Sequence, residues 1–191
     1  MRVSRVQAEE NRQKVIDVAS RLFREHGFDG IGLKDVMEAA GLTQGAFYKQ
    51  FASKEDLAVQ ASERALESAT GRWSTAADAN PQDPLGAVIA FYLSSGHREE
   101  RGDGCPVVAL GSDAARQGED VKASFEVGIR KYLEMLEPWV GKPDTDDSAD
   151  KAMAVLSTMV GAMVLSRAIN NKRLSKRLLH AAAEDVLARS S

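Results

Sequence analysis

Apolar residues recur at helical spacing along almost the whole chain, and no run alternates apolar with polar in the manner of a half-buried strand. The pattern predicts an all-α fold. Val15, Val18, Ala19, Leu22 and Phe23 share one face of a first helix, and Gly27 follows as a stop of the left-handed kind. A short helix over about 33–40 ends at Gly41, and another opens at Thr43, whose hydroxyl can cap the next turn. Ser53, followed by Lys54, Glu55 and Asp56, reads as an N-cap with acidic residues in the first turn. From there Leu57, Ala61, Ala65, Ala69 and Trp73 recur every four residues until the stretch 75–84, with its Asp, Asn and Pro, breaks the helix. Leu85, Val88, Ile89 and Tyr92 mark the next helix, 98–104 is a second break, and Pro106 suits the first turn of another. Val121, Phe125, Ile129, Tyr132, Leu133 and Leu136 mark a helix that ends near Pro138, ahead of a linker at 141–147.

The last two helices differ from the rest. Met153, Leu156, Met159 and Met163 lie on one side of the segment 152–169, while Val155, Ala162, Leu165 and Ile169 lie on another, so it needs cover on both sides. With the Leu178, Ala182 and Val186 face of the final helix, this predicts a four-helix homodimer interface. Its candidate residues are Ser157, Val160, Gly161, Val164, Leu165, Leu178 and Ala182, with Gly161 and Ala162 permitting close approach.

Composition narrows the class. At 191 residues, 43% hydrophobic and 28% charged, the chain has the balance of a folded soluble protein. Its apolar stretches read as interrupted before the length of a membrane span, and 1–10 lacks an apolar signal core, so a cytoplasmic location and no membrane partner are expected. A single cysteine, Cys105, excludes an internal disulfide and a multi-cysteine zinc site. His26, His97 and His180 lack the spacing of a helical metal site, and no nucleotide-binding or hydrolase fingerprint occurs, so no metal, cofactor or enzymatic activity is expected. Net charge is -3, but residues 1–54 carry nine Lys/Arg against seven Asp/Glu, so the basic excess sits at the N-terminal end.

That end carries the most informative stretch, FDGIGLKDVMEAAGLTQGAFYKQFASKED over 28–56. Two short helices joined through Gly41, with Val36, Ala40, Leu42, Phe47 and Phe51 available to pack on the first helix, describe a helix-turn-helix. Gln44 can pair with an adenine edge, while Gly45 and Ala46 allow close approach and the Ala46 methyl can meet a thymine methyl. Lys34, Thr43, Tyr48, Lys49 and Lys54 suit phosphate oxygens, as do the helix N-termini at Thr43 and Ser53. A solvated helical surface is the competing reading for each of them taken alone.

Gly27, Phe28, Ala40, Gly41, Gly45, Phe47, Tyr48, Phe51, Ser53, Lys54, Glu55 and Leu57 together resemble the signature of the TetR family of bacterial transcriptional regulators. The resemblance covers about the first sixty residues. It departs at Gly32, where the family places a Thr or Ser cap, and at Lys49-Gln50, where it places an aromatic-histidine pair. It implies about nine helices, a homodimer, and a palindromic double-stranded operator whose two half-sites are lost together when an effector changes the spacing of the reading heads. The expected division is a DNA-binding domain over 1–52 and a ligand-binding and dimerisation domain over 53–191.

Trp73, Phe91, Tyr92, Phe125, Tyr132, Met135, Met159 and Met163 fall on helices that the resemblance places around an effector cavity for a small apolar or aromatic molecule. Ordinary core packing is the competing reading for these residues. Cys105 follows 101–104 at a helix start, so an electrophile- or oxidant-sensing thiol and a small buried hydrophobe are both open. The function expected is a ligand-responsive regulator, a repressor; the alternative is a helical ligand-binding protein or enzyme without DNA binding.

Overall fold

Ser4 opens the first helix, its Oγ accepting from the Gln7 N–H at 3.1 Å. The computed structural model describes residues 4–141 and 146–190. From Ser4, α1 runs over Arg5–His26 and ends at Gly27, whose N–H donates to the Phe23 carbonyl at 2.7 Å. Gly27 has φ 80 and ψ 165, so the stop is a positive-φ one but extended in ψ, a region open essentially to glycine alone.

Helix α2 (Leu33–Ala39) starts at Gly32, which has no side chain to cap with; Asp35 compensates by accepting from the Gly32 N–H at 3.3 Å. It closes in a Schellman motif. Gly41, at φ 72, donates to Glu38, and Leu42 donates to Met37, each at 2.9 Å. Helix α3 is a single turn, Gln44–Phe47. Thr43 occupies its N-cap position, but the expected hydroxyl cap is not made. Ser53 does cap α4 (Lys54–Ala79), accepting from the Asp56 N–H at 3.0 Å while Asp56 accepts from Ala52 at 2.9 Å.

Helix α4 continues past the break expected at 75. Thr70 and Thr75 return their hydroxyls to carbonyls one turn back, so polar side chains do not compete for the backbone, and Ala76 and Ala77 still face the core. Asp83 caps α5 (Pro84–Tyr92), and Ser94 caps α6 (Ser95–Glu99), a short helix the apolar pattern does not announce. Then follow α7 (Pro106–Ala114), α8 (Glu119–Leu136) with a 3-10 turn at Glu137–Trp139, α9 (Asp146–Ala168) and α10 (Lys172–Ser190). Among the described residues there are thus ten α-helices and no strand, with α6 the addition to the nine expected. The linker expected at 141–147 falls largely outside the described residues.

Two apolar cores form. The first gathers Val15, Ile16, Ala19 and Phe23 of α1 with Val36, Met37, Ala40, Phe47 and Phe51, and Leu42 is half-buried against it. It is not closed by the first three helices: Leu57, Ala58 and Ala61 of α4, Leu110 and Ala114 of α7, and Val121 and Phe125 of α8 complete it. The second core centres on Trp73, with the Tyr132 ring 4.6 Å away and the Tyr92 ring 5.6 Å away, and extends to Met159 and Met163 of α9. Helices α4, α7 and α8 enter both cores, so the N-terminal head is mechanically continuous with the rest.

Helix α9 corrects one expectation. Asp147–Ala168 is long and apolar enough to cross a membrane by length and composition, because only Ser, Thr and Gly, not charges, interrupt 152–166. Val155, Leu156, Met159, Ala162 and Met163 are buried on its own chain, whereas Met153, Val164 and Leu165 are exposed.

Candidate functional site

The single turn of α3 stands on its aromatic base. Phe47 is fully buried and stacks on Phe51 with centroids 5.3 Å apart, which leaves the opposite face of the turn to solvent. Gln44, Gly45, Tyr48 and Lys49 are exposed there, and Ala46 is half-buried. Tyr48 is 69% exposed, its ring held edge-on against Phe47. A side chain added at Gly45 would meet nothing within 4 Å, so that position is open to an incoming surface.

The expected phosphate-facing cations divide. Lys34 is exposed and loosely paired with Glu38 at 3.7 Å. Lys54 turns inward: its Nζ donates to the Ile31 carbonyl at 2.8 Å and fastens the start of α4 to the loop before α2. Lys14 of α1 is a cation that sequence reasoning missed; its Nζ lies 3.5 Å from where a Gly41 Cβ would stand, beside the helix-turn-helix corner. Arg12 of α1 lies over the Phe51 ring at 5.4 Å and donates to Gln60, holding α1 on α4.

In the second core, the structure brings Trp73, Phe91, Tyr92, Tyr132 and Cys105 around one small void of about 10 Å³, joined by Arg72, His97 and the turn through Asp103 and Gly104. Phe125 lies in the other core, and Met135, Met159 and Met163 pack in this core without lining the void. The void is water-sized, too small to hold an effector as it stands. His97, which has no metal-ligand spacing, organises the site. Its Nε2 accepts from the Cys105 N–H at 3.1 Å, which places the ring proton on Nδ1, donated to the Tyr92 carbonyl at 2.7 Å. Burial holds its pKa below the ordinary 6.5, the hydrogen bond to Tyr92 opposing and Arg167 and Arg72 reinforcing the shift. The Tyr92 and Tyr132 hydroxyls are buried without a hydrogen-bond partner. Burial drives both phenols well above their ordinary value, and Cys105 adds to the shift in each.

Three helices grip the backbone of the turn beside Cys105. Arg24 of α1 donates to the Gly104 carbonyl at 2.9 Å, and Arg72 of α4 donates to the Asp103 carbonyl at 2.6 Å and pairs with Glu100. From α9, Arg167 donates to the carbonyls of His97 at 3.0 Å, Arg98 at 3.1 Å and Glu100 at 3.3 Å. Arg98 returns the arrangement, donating to Ser166 at 3.0 Å and Ile169 at 3.4 Å, so α6 and α9 each have their last carbonyls capped by an arginine of the other. Gly104 permits this crowding: a Cβ there would collide with the Glu100 carbonyl and the Arg167 guanidinium.

The candidate dimer residues fall on the outer side of α9 and α10. Ser157, Val164 and Leu165 are exposed, and Val160, Gly161, Leu178 and Ala182 are half-buried, the last two leaning on their own core. Gly161 has open space where a side chain would stand, and Met153, Leu174 and Leu187 add exposed apolar area nearby.

Comparisons with known proteins agree with this geometry. Residues 15–61 match the family model described as bacterial regulatory proteins, tetR family. The HTH-type transcriptional regulator LmrA of Bacillus subtilis is 25% identical over 176 residues, 90% of this chain and 92% of LmrA. The HTH-type transcriptional regulator AcrR of Shigella flexneri is 36% identical over 104 residues, 52% of this chain and 48% of AcrR. The crystal structure of the reduced form of E. coli NemR superposes with a TM-score of 0.75 at 20% identity, covering 93% of this chain and 95% of that one, a likeness of fold.

Proposed function

Since this chain belongs to the TetR family of bacterial regulatory proteins, and is a DNA-binding transcriptional regulator rather than an enzyme, we propose that it is a cytoplasmic, homodimeric repressor released from a palindromic operator by a small effector. The observation that carries this reading is the solvent-facing α3, where Gln44, Gly45, Tyr48 and Lys49 project from a buried aromatic base. Gln44 and Ala46 read base edges; Tyr48, Lys49, Lys34 and Lys14 meet phosphates. Lys54 serves the geometry of the head, whereas the exposed and uncapped Thr43 stays among the phosphate-facing residues. We take 1–52 as the reading head and 53–191 as the sensing and dimerising part, with α4, α7 and α8 common to both cores.

Dimerisation covers Val164 and Leu165 and brings two heads to one face of DNA, where successive major-groove faces recur about every 34 Å. The effector site is the Trp73, Phe91, Tyr92 and Tyr132 cluster, which must open to admit a molecule larger than its void of about 10 Å³. Opening displaces the 99–105 turn, and Arg24 carries that displacement to α1. Selection of bound fragments from genomic DNA, followed by a screen for compounds that release the protein from the recovered site, tests the reading. Recovery of no preferred sequence would refute it.

A second reading has its own observation. The sole cysteine sits inside this polar cage, facing two phenols and next to the arginine-held turn, a position from which thiol chemistry reaches α1 through one peptide unit. Loss of oxidant-induced DNA release in Cys105→Ser is the test of Cys105 as the sensing group.

A further inference from the structure

We infer that the Trp73 cluster binds a single-ring aromatic carboxylate, its ring seated among Trp73, Phe91 and Tyr132 and its carboxylate taken by Arg72 in exchange for Glu100. The inference rests on the reading of this cluster as the effector site and adds to it the chemical class of the ligand and the residue that selects it.

The wall is aromatic. Trp73, Phe91, Tyr92 and Tyr132 border the void, and the rings set 4.6 and 5.6 Å from Trp73 offer faces and edges to a flat guest. Taken alone, such a wall would equally suit an organic cation. The charges around it decide against one. Arg72 borders the void, and Arg24 and Arg167 stand behind it, bonded to the carbonyls of Gly104 and His97 in its lining. Among the described residues, the hydrogen bonds of Arg24 and Arg167 all go to neutral acceptors: the Ser20 carbonyl and hydroxyl and the Gly104 carbonyl for one, the carbonyls of His97, Arg98 and Glu100 for the other. Asp103, the carboxylate that acts on Arg24, is exposed. Arg24 is buried and Arg167 half-buried, and cations so placed ordinarily have a carboxylate against them; two without one leave a positive field at the void. That field reaches His97, whose pKa is lowered by burial and further by Arg167 and Arg72, against the opposing hydrogen bond to Tyr92.

Arg72 marks the seat of the carboxylate. Its guanidinium lies over the Phe91 ring at 4.8 Å, donates to the Asp103 carbonyl at 2.6 Å and pairs with Glu100. The Glu100 side chain is 47% exposed, so an incoming carboxylate displaces it into water at small cost and takes over the planar fork. The void of about 10 Å³ holds no more than a water, so a ring enters only as the 99–104 turn withdraws. Binding and withdrawal have one cause, because the donors that the ligand takes from Arg72 are those that tie this turn to α4. The turn keeps its ties to Arg24 and Arg167, so its withdrawal pulls on α1 and α9.

The test is calorimetric titration of the full-length protein with benzoate and phenylacetate, set against probes that each lack one feature: benzamide without the charge, benzylamine with the opposite charge, acetate without the ring. At least one of the two aromatic acids is expected to bind saturably and about tenfold or more tighter than benzamide, with no saturation by benzylamine or acetate. Arg72→Gln is expected to remove the preference, so that carboxylate and amide bind alike. Glu100→Gln, which removes the competing carboxylate, is expected to tighten binding of the aromatic acid several-fold, with circular dichroism confirming the fold of both variants. Amide binding as tight as carboxylate binding, saturation by benzylamine, no saturation by either aromatic acid, or affinities indifferent to both substitutions overturns the inference. Operator affinity in the same samples keeps the ligand class apart from the effector reading beneath it. Carboxylate-selective, Arg72-dependent binding that leaves operator affinity unchanged upholds the ligand class and sinks the effector role of the cluster; release of DNA by benzamide as readily as by benzoate does the reverse.

Discussion

Arg24, on the helix that carries the DNA-binding head, donates its Nη1 hydrogen to the carbonyl of Gly104, 2.9 Å away and one peptide before Cys105. Its Nε and Nη2 also bind the Ser20 carbonyl and hydroxyl, so the guanidinium is fixed at both ends, and in the proposed switch it is the link through which movement of the turn reaches α1. Arg24→Lys keeps the charge and loses the fork. We expect operator affinity near wild type but a several-fold weaker response to effector or oxidant, measured as the shift in DNA-binding midpoint with and without the stimulus.

The turn at Gly41 has φ 72, and a Cβ there would meet only the Lys14 ammonium, at 3.5 Å. Strain without a clash is therefore the whole effect of a small side chain. Gly41→Ala should cost about 1–2 kcal/mol of stability, read from the urea midpoint, while the helical content of the folded protein stays unchanged.

His97 is held neutral by burial, its pKa below the unfolded value near 6.5. As pH falls through that unfolded value, the unfolded chain binds a proton that the folded one does not, so stability is lost on acidification until the folded value is passed. The wild type should thus lose more stability between pH 7 and pH 5 than His97→Gln does, by thermal melts at each pH. Equal losses would contradict a His97 held neutral by burial.

Leu165 is 55% exposed and Val164 44% exposed on α9, apolar area that a second copy of the chain would cover. Leu165→Glu is expected to convert the proposed dimer to a folded monomer in sedimentation velocity and to lower operator affinity by more than tenfold through loss of the second head, about 1.4 kcal/mol or more.

The head was legible because its determinants are local. Glycines with positive φ, the Ser53 cap and apolar residues at helical spacing all act within a turn or two of chain. The candidate effector site was legible only in part. Trp73, Phe91, Tyr92, Cys105 and Tyr132 do converge, but Phe125 does not join them: α8 spans both cores, and about two turns separate Phe125 in one from Tyr132 in the other. The arginine contacts to the 97–104 backbone join residues 31 to 80 positions apart, and long polar side chains bonded to carbonyls leave no periodicity to read. Lys54 was ambiguous for a related reason, since a lysine at a helix start looks alike in sequence whether its ammonium meets a phosphate or, as here, the Ile31 carbonyl.

The claim that α3 reads DNA is tested most directly by fluorescence anisotropy on the genomically selected operator, across a salt series, with Gln44→Ala, Tyr48→Ala and Lys49→Ala. Gln44→Ala should lose about 1–3 kcal/mol of discrimination at one base position. Lys49→Ala should weaken binding to all sequences alike and lower the salt slope by about one. Wild-type affinity and salt dependence retained in all three variants would contradict the account.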